Sequence, residues 1–295
     1  MDIIVQPGLY VVAVSGGVDS MVLLDLLKRK PELKLVVAHF DHGIRDDSHE
    51  DRYLVRAIAD ENGLPFVYHL GYLGIGASED EARKARYDFL RSVKESSGAQ
   101  AIITAHHHDD LLETAIINML RGTGRKGLTS LKSRPGLVRP MLHVSKEDVI
   151  KYAKENKLQW REDITNADTR YLRNHVRHNI LQKFDKSQLG NLRVILDKMT
   201  SINNELDDQI INYLHIQPAG NVLDRKTFVR LPHTVAKEIM ASWLRKNDIS
   251  NFDQKTLERL VVRAKTLEPG KLTDIVKGYS LQINKETLML VAYNR

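Results

Sequence analysis

Four times in its first 120 residues the chain sets a short apolar run before a turn and a helix-like stretch, and this alternation admits few folds. The runs are Leu9-Tyr10-Val11-Val12-Ala13-Val14, Leu35-Val36-Val37-Ala38-His39-Phe40, residues 65–70 and Ala101-Ile102-Ile103-Thr104-Ala105. The helical stretches cover residues 21–30, 49–61, 78–95 and 109–120. Pro31, Asn62-Gly63 and Ser96-Ser97-Gly98 end the first three, and Ser78-Glu79-Asp80-Glu81 reads as a capping box opening the third. Uninterrupted apolar runs belong to strands covered on both faces, so the expected class is α/β with a doubly wound parallel sheet. Ligands bind such sheets beyond the carboxyl ends of the strands, and the polar clusters considered below each follow a strand.

Beyond Ser145 the character turns helical, through residues 145–156, 170–181 and about 189–214, a helical extension of the first domain. His215-Ile216-Gln217-Pro218-Ala219-Gly220 reads as a linker. Two helices (234–246, 253–266) and three alternating strands (272–276, 279–283, 287–293) then predict a small α+β module. The expected domains are residues 1–214 and 215–295.

The first apolar run ends on Ser15-Gly16-Gly17-Val18-Asp19-Ser20 and a helix follows at once. Glycines let a ligand approach the backbone, and amides at a helix start favour an anion. Ser15 and Ser20 add hydroxyl donors. Asp19 would repel a bare phosphate, so its presence suggests a bridging Mg²⁺. The lysine of a Walker A loop is missing, which argues against γ-phosphate transfer. Alone, the element would be only a Gly-Gly turn capped by Asp and Ser.

Charge points to a polyanionic partner. Residues 121–139 hold six Lys or Arg (Arg121, Arg125, Lys126, Lys132, Arg134, Arg139) and no acid, within a net charge of +6. Residues 170–183 hold four more (Arg170, Arg173, Arg177, Lys183), with His175 and His178 and again no acid. The bland alternative is a pair of solvated faces. With no cysteine, disulfides, thiolate zinc sites, iron–sulfur clusters and persulfide carriers are excluded from these 295 residues. No run reaches the ~20 apolar residues of a membrane helix. The first residues resemble no secretory signal, so no membrane contact and a cytoplasmic location are expected.

The Ser15–Ser20 loop resembles the signature of the PP-loop ATP pyrophosphatases, which adenylate a carbonyl or carboxyl oxygen and release pyrophosphate. Five further blocks match in order and spacing. They are Phe40-Asp41-His42-Gly43-Ile44-Arg45, then Ala105-His106-His107-His108-Asp109-Asp110-Leu111-Leu112-Glu113-Thr114, then Arg121-Gly122-Thr123-Gly124 with Gly127-Leu128 and Arg139-Pro140-Met141-Leu142, and last Glu162-Asp163 with Asn166, Tyr171, Arg173-Asn174 and Arg177. Together they are similar to the branch of that family that modifies the wobble base of a tRNA, strongly over residues 9–181 and loosely beyond. The resemblance implies an adenine nucleotide α-hydrolase-like fold, ATP and Mg²⁺. It implies tRNA(Ile) with a CAU anticodon and free L-lysine as substrates, with ATP adenylating C2 of the wobble cytidine before the lysine ε-amine displaces AMP. The module at 215–295 is then expected to bind tRNA, without the extra C-terminal domain of longer relatives. A homodimer is left open.

Within that reading, Ser15, Gly16, Gly17, Val18, Asp19 and Ser20 cradle the nucleotide and Asp19 holds the metal. Asp110 and Glu113 lie three apart on one helix face and could hold an ammonium or Mg²⁺. Asp110 ranks above His106 as base for the attacking amine. Arg45 and Arg121 are clamps for phosphate charge. Consecutive His106-His107-His108 cannot all face one metal, which disfavours zinc. The loop from Arg121 through Arg125 to Gly127 reads as a lid or an RNA contact. Arg173 and Arg177 share a helix face, for RNA phosphates or for salt bridges within the fold. The rivals are tRNA thiolation, a small-molecule amide ligase akin to NAD synthetases, and a nucleotide-sensing or RNA-binding module without catalysis.

Overall fold

In the computed structural model, residues 1–43, 47–71, 79–161 and 172–293 are described, and they form two compact units, Met1–Asp197 and Lys198–Arg295. The division falls inside the longest helix, α8 (Lys186–His215), whose C-terminal end coincides with the linker expected from sequence.

The first unit is built on five parallel strands. They are β1 (Gly8–Ala13), β2 (Leu33–Asp41), β3 (Phe66–Leu70), β4 (Ala101–Ile103) and β5 (Leu137–Val138), in the order β3-β2-β1-β4-β5. Register runs Tyr10↔Leu35 and Val12↔Val37 on one side of β1, and Tyr10↔Ala101 and Val12↔Ile103 on the other. Side chains alternate across a strand, so neighbours in β1 serve opposite layers. Val12 packs with Leu23, Leu24 and Leu27 of α1 (Val18–Lys28), Val55 and Ala59 of α2 (Ser48–Glu61) and Val149 of α6 (Lys146–Glu155). Val11 packs the other way, with Tyr87, Leu90 and Val93 of α3 (Glu79–Ser97). Helices on both faces explain the apolar runs. They make the sheet doubly wound.

Sequence reading missed β5, whose two residues carry no periodicity. The third helix begins at Glu79, and Ser78, the capping residue expected before it, lies outside the described residues. The single helix expected over 170–181 is corrected. Its described part is one α turn, α7 (Leu172–His175), followed by a π-helical turn (Val176–Ile180) and a 3₁₀ turn (Leu181–Lys183). With α4 (His108–Leu120) this segment forms a separate cluster, Leu112, Ala115 and Ile117 against Val176, Leu181 and Leu196. A π turn shifts side-chain register by one residue, and such turns recur at functional sites.

In the second unit, β6 (Val222–Asp224), β7 (Lys271–Val276), β8 (Tyr279–Ile283) and β9 (Thr287–Ala292) form an antiparallel sheet in the order β6-β9-β8-β7. With α9 (Arg225–Arg230), α10 (His233–Lys246) and α11 (Gln254–Thr266) it encloses a core around Phe228, Trp243, Leu260 and Leu288. The buried Arg225 guanidinium donates to the carbonyls of Ala264, Leu267 and Asn284, satisfying a costly buried cation. Strand β6 and α9 were not foreseen, although Asp224 is a plain helix cap, accepting from Thr227 N at 2.7 Å.

Candidate active site

Strand order reverses between β1 and β4, and a cleft of about 330 Å³ opens there, beyond the carboxyl ends of the strands. The turn after β1 lends it Ser15, Asp19 and Ser20. The end of β2 lends His39, Asp41 and His42, α2 lends Ser48 and Asp51, and α3 lends Arg86. The segment after β4 lends Thr104 and His106, and Asp110 and Arg173 complete the wall.

The glycine turn is held by its own hydroxyls. Ser15 N–H donates to Ser20 Oγ at 3.1 Å, and Ser20 Oγ donates to Gly17 O at 2.9 Å. Gly16 has φ +93°, a left-handed conformation, and a Cβ there would lie 3.2 Å from Asp51 Cβ. Only glycine fits without strain. Gly17 takes the cap position of α1, so no side chain caps the helix start, as suits an anion-binding end. Val18 is the first helical residue and packs into the core, anchoring the turn. Behind the turn, Arg161 N–H donates to Gly16 O at 3.0 Å, while its guanidinium bridges Asp47 at 2.7 Å, Asp51 at 2.9 Å and Glu50.

Asp19 is gripped from two sides. Lys146 Nζ, at the start of α6, lies 2.5 Å from Oδ1, and His107 Nε2 lies 3.7 Å from Oδ2. Burial would raise the Asp19 pKa, but the hydrogen bond and charge of His107, with those of Lys146, outweigh it and hold it at about 2. The same imidazole lies 3.6 Å from Asp110 Oδ2, and Asp110 also accepts from His107 N–H at 3.0 Å, a cap on α4. His107 is 3% exposed, and although burial works against its charge, Asp19 and Asp110 raise its pKa. Two carboxylates therefore flank one buried imidazole.

The neighbouring histidines differ. His106 lines the cleft, its Nδ1 2.8 Å from Thr104 Oγ1, and burial with the charges of Arg139, Arg86, Arg83 and Arg173 drives its pKa well down. His39, 2% exposed, hydrogen-bonds Val14 O through Nδ1 at 2.9 Å. Its Nε2 is buried with no hydrogen-bond partner among the described residues, and its pKa is lowered by burial. A ligand in the cleft would satisfy that orphaned nitrogen. An uncapped helix start, two hydroxyls, an ionised carboxylate and this orphan together fit a nucleotide polyphosphate and its metal.

Three expectations need correction. Glu113 does not line the cleft: it is fully buried, and Arg177 takes both its oxygens, Nε–Oε1 at 2.5 Å and Nη2–Oε2 at 3.0 Å. Helix periodicity put Glu113 beside Asp110, but the side of α4 it occupies faces the π turn. Arg177 is accordingly committed to a salt bridge within the fold, whereas Arg173 reaches the cleft, 3.8 Å from Glu113. Arg139, counted with the basic surface, is 6% exposed and donates to Lys132 O. Arg121 is exposed at the end of α4, and Arg125 opens the short helix α5 (Arg125–Leu128). Arg45, Glu162, Asp163, Asn166, Arg170 and Tyr171 lie outside the described residues.

Sequence reasoning missed His107, Lys146, Asp51, Arg86 and Arg161. A signal existed for His39 and Asp41, polar residues in an apolar strand. The lysine and arginines are hidden among the ordinary charges of amphipathic helices and turns.

Lys146→Met should let the Asp19 pKa climb from about 2 toward its ordinary value. A folded pKa below the unfolded 3.8 stabilises the protein above about pH 4, a contribution lost as pH falls through 2. The variant should therefore be less stable than the wild type above about pH 4, by a deficit that shrinks as pH falls toward 2. Carboxyl carbon NMR of Asp19 checks this, and an unmoved midpoint would remove Lys146 from the network.

The fold and cleft define a nucleotide-binding α/β domain of the PP-loop class, and the model of the PP-loop domain matches residues 5–184. The tRNA(Ile)-lysidine synthase of Bdellovibrio bacteriovorus is 30% identical over 284 residues, 94% of this chain and 90% of that one. That of Thermosipho africanus is 33% identical over 266 residues, 84% of this chain and 60% of that one. The chain belongs to the tRNA(Ile)-lysidine synthase family of PP-loop proteins. It spans only 39% to 60% of the length of several curated relatives it matches. Among solved structures, the U34-tRNA thiolase NcsA from Methanococcus maripaludis, with its [4Fe-4S] cluster, has a TM-score of 0.55 at 17% identity. It covers 67% of this chain and 73% of that one, a likeness of fold. Among the described residues no helix is long and apolar enough to cross a membrane.

Proposed function

We propose that this chain uses ATP to adenylate the C2 oxygen of the wobble cytidine in a tRNA(Ile) with a CAU anticodon, then joins free lysine to C2 to form lysidine. The observation that carries the reading is the His107 bridge, which sets Asp19 of the glycine turn and Asp110 at the start of α4 side by side in one cleft. One acid then serves the nucleotide and its metal, the other an ammonium substrate.

The chain's own groups divide the work. The amides at the start of α1, with Ser15 and Ser20, would hold the phosphates, and Asp19 would hold Mg²⁺. Mg²⁺, when bound, neutralises charge on the phosphate oxygens. Arg86 and Arg173 stand in the same cleft, where cations stabilise the departing pyrophosphate. Asp110 orients the lysine ammonium and accepts the proton its nitrogen must lose before bonding to C2. As that bond forms, the C2–O bond breaks and AMP leaves with the oxygen. His106, kept neutral, is a secondary candidate for the proton.

Residues 1–214 supply this chemistry and residues 215–295 further tRNA contacts, supported by Lys255, Arg259 and Arg263 at four-residue spacing along α11. Sulfur transfer through a thiol or an iron–sulfur cluster would need cysteines, and these 295 residues have none. Incubation with radiolabelled lysine, ATP and unmodified tRNA(Ile) should label the RNA. Pyrophosphate release indifferent to that tRNA would instead favour a small-molecule ligase.

A further inference from the structure

We infer that the C-terminal tip of α4 is a contact for unpaired RNA bases, an apolar pair set beside cations; this rests on the RNA-modifying reading above. Met119 is 56% exposed and Leu120 63%, while Leu112, Ala115 and Ile117 of the same helix are buried. Single exposed apolar residues are ordinary, but two large consecutive ones at a helix tip form a patch.

The chain that follows is tied back to the same helix. Gly122, at φ +66°, turns it, and Thr123 Oγ1 donates to Asn118 O at 3.1 Å. Asn118 Nδ2 donates to Gly127 O at 2.7 Å and Ser130 Oγ at 3.0 Å. These bonds return the loop that carries Arg121 and Lys126 to the helix end that carries the apolar pair, and residues 121–134 hold five cations and no acid.

Charge selects the occupant. An acid-free cationic loop disfavours a basic partner, and an apolar pair inside it has nothing to gain from a fully stacked duplex. Unpaired RNA offers both complements, phosphates for the cations and exposed base faces for Met and Leu, side chains that also wedge between bases elsewhere. Asp110 and Leu120 stand ten residues apart on one helix, about 15 Å along its axis. A base in the cleft would leave its loop neighbours within reach of the tip.

The test measures affinity for an anticodon stem-loop across a salt series. Met119→Ser/Leu120→Ser should bind about tenfold more weakly at every salt concentration, with an unchanged salt slope. Arg121→Gln/Lys126→Gln should flatten the slope by one to two, about one per lost phosphate contact. An abasic nucleotide beside the wobble position should cost the wild type a similar factor and cost the apolar variant nothing more. Unchanged ATP binding in the variants checks that the fold is intact. Equal affinity of the apolar variant, a loss that follows salt, or a loss of self-association by sizing would each overturn the inference. Failure of the wild type to bind the stem-loop would overturn the RNA reading itself.

Discussion

Asp19→Asn should abolish adenylation, lowering pyrophosphate release at least about a thousandfold, while tRNA affinity stays within about twofold. The substitution keeps the shape of the side chain and removes its charge. In the native site that charge is ionised far below neutrality, with the carboxyl pKa held at about 2 by His107 and Lys146 against the effect of burial. Asparagine leaves two cations facing an amide, with no carboxylate charge to hold a divalent ion against the phosphates. RNA binding depends on other surfaces and should persist. Filter binding together with pyrophosphate release separates the two effects, and turnover near the wild-type rate would remove the metal role of Asp19. A parallel fall in tRNA affinity would mean that the site had collapsed rather than lost its metal.

The glycine turn could be read from sequence because its logic is local. A strand, two glycines and a helix start occupy consecutive positions, and period and residue type carry the whole signal. The two apolar faces of the sheet were legible for the same reason. What surrounds Asp19 was not: Lys146 and Asp19 stand 127 residues apart, and no local pattern distinguishes that lysine from others at helix starts. Glu113 was legible only in part. Helix periodicity put it beside Asp110, but 64 residues separate it from Arg177, and the π turn that presents that arginine has no sequence signature. Strands of two and three residues, β5 and β6, fall below the length at which alternation can be recognised.

Loss of Arg177 should strongly destabilise the first unit. Arg177→Met leaves the Glu113 carboxylate fully buried without its bidentate partner, an arrangement that costs about 3 kcal/mol at neutral pH. That corresponds to a fall of roughly 6–12 °C in Tm. Glu113→Gln should cost less, because Arg177 keeps Asp110 at 3.7 Å and, at 34% exposed, can rehydrate. Burial already raises the Glu113 pKa above its usual value, against the pull of Arg177, and the Met variant removes that pull. A carboxyl whose folded pKa exceeds its unfolded one binds more protons when folded, so its variant is hurt most at high pH and regains stability on acidification. Urea unfolding at about pH 5 and about pH 8 should therefore give a smaller deficit at the lower value. Replacing both partners by apolar residues, Glu113→Leu/Arg177→Met, should recover most of the loss, since neither charge is then left buried alone. An equal deficit at both pH values would mean that Arg177 supports the π turn by packing, with Glu113 carrying no charge. Asp110 sits one helical turn before Glu113, so the same variant should also raise the lysine KM while leaving ATP binding unchanged, the sign that this ion pair positions α4 under the amine.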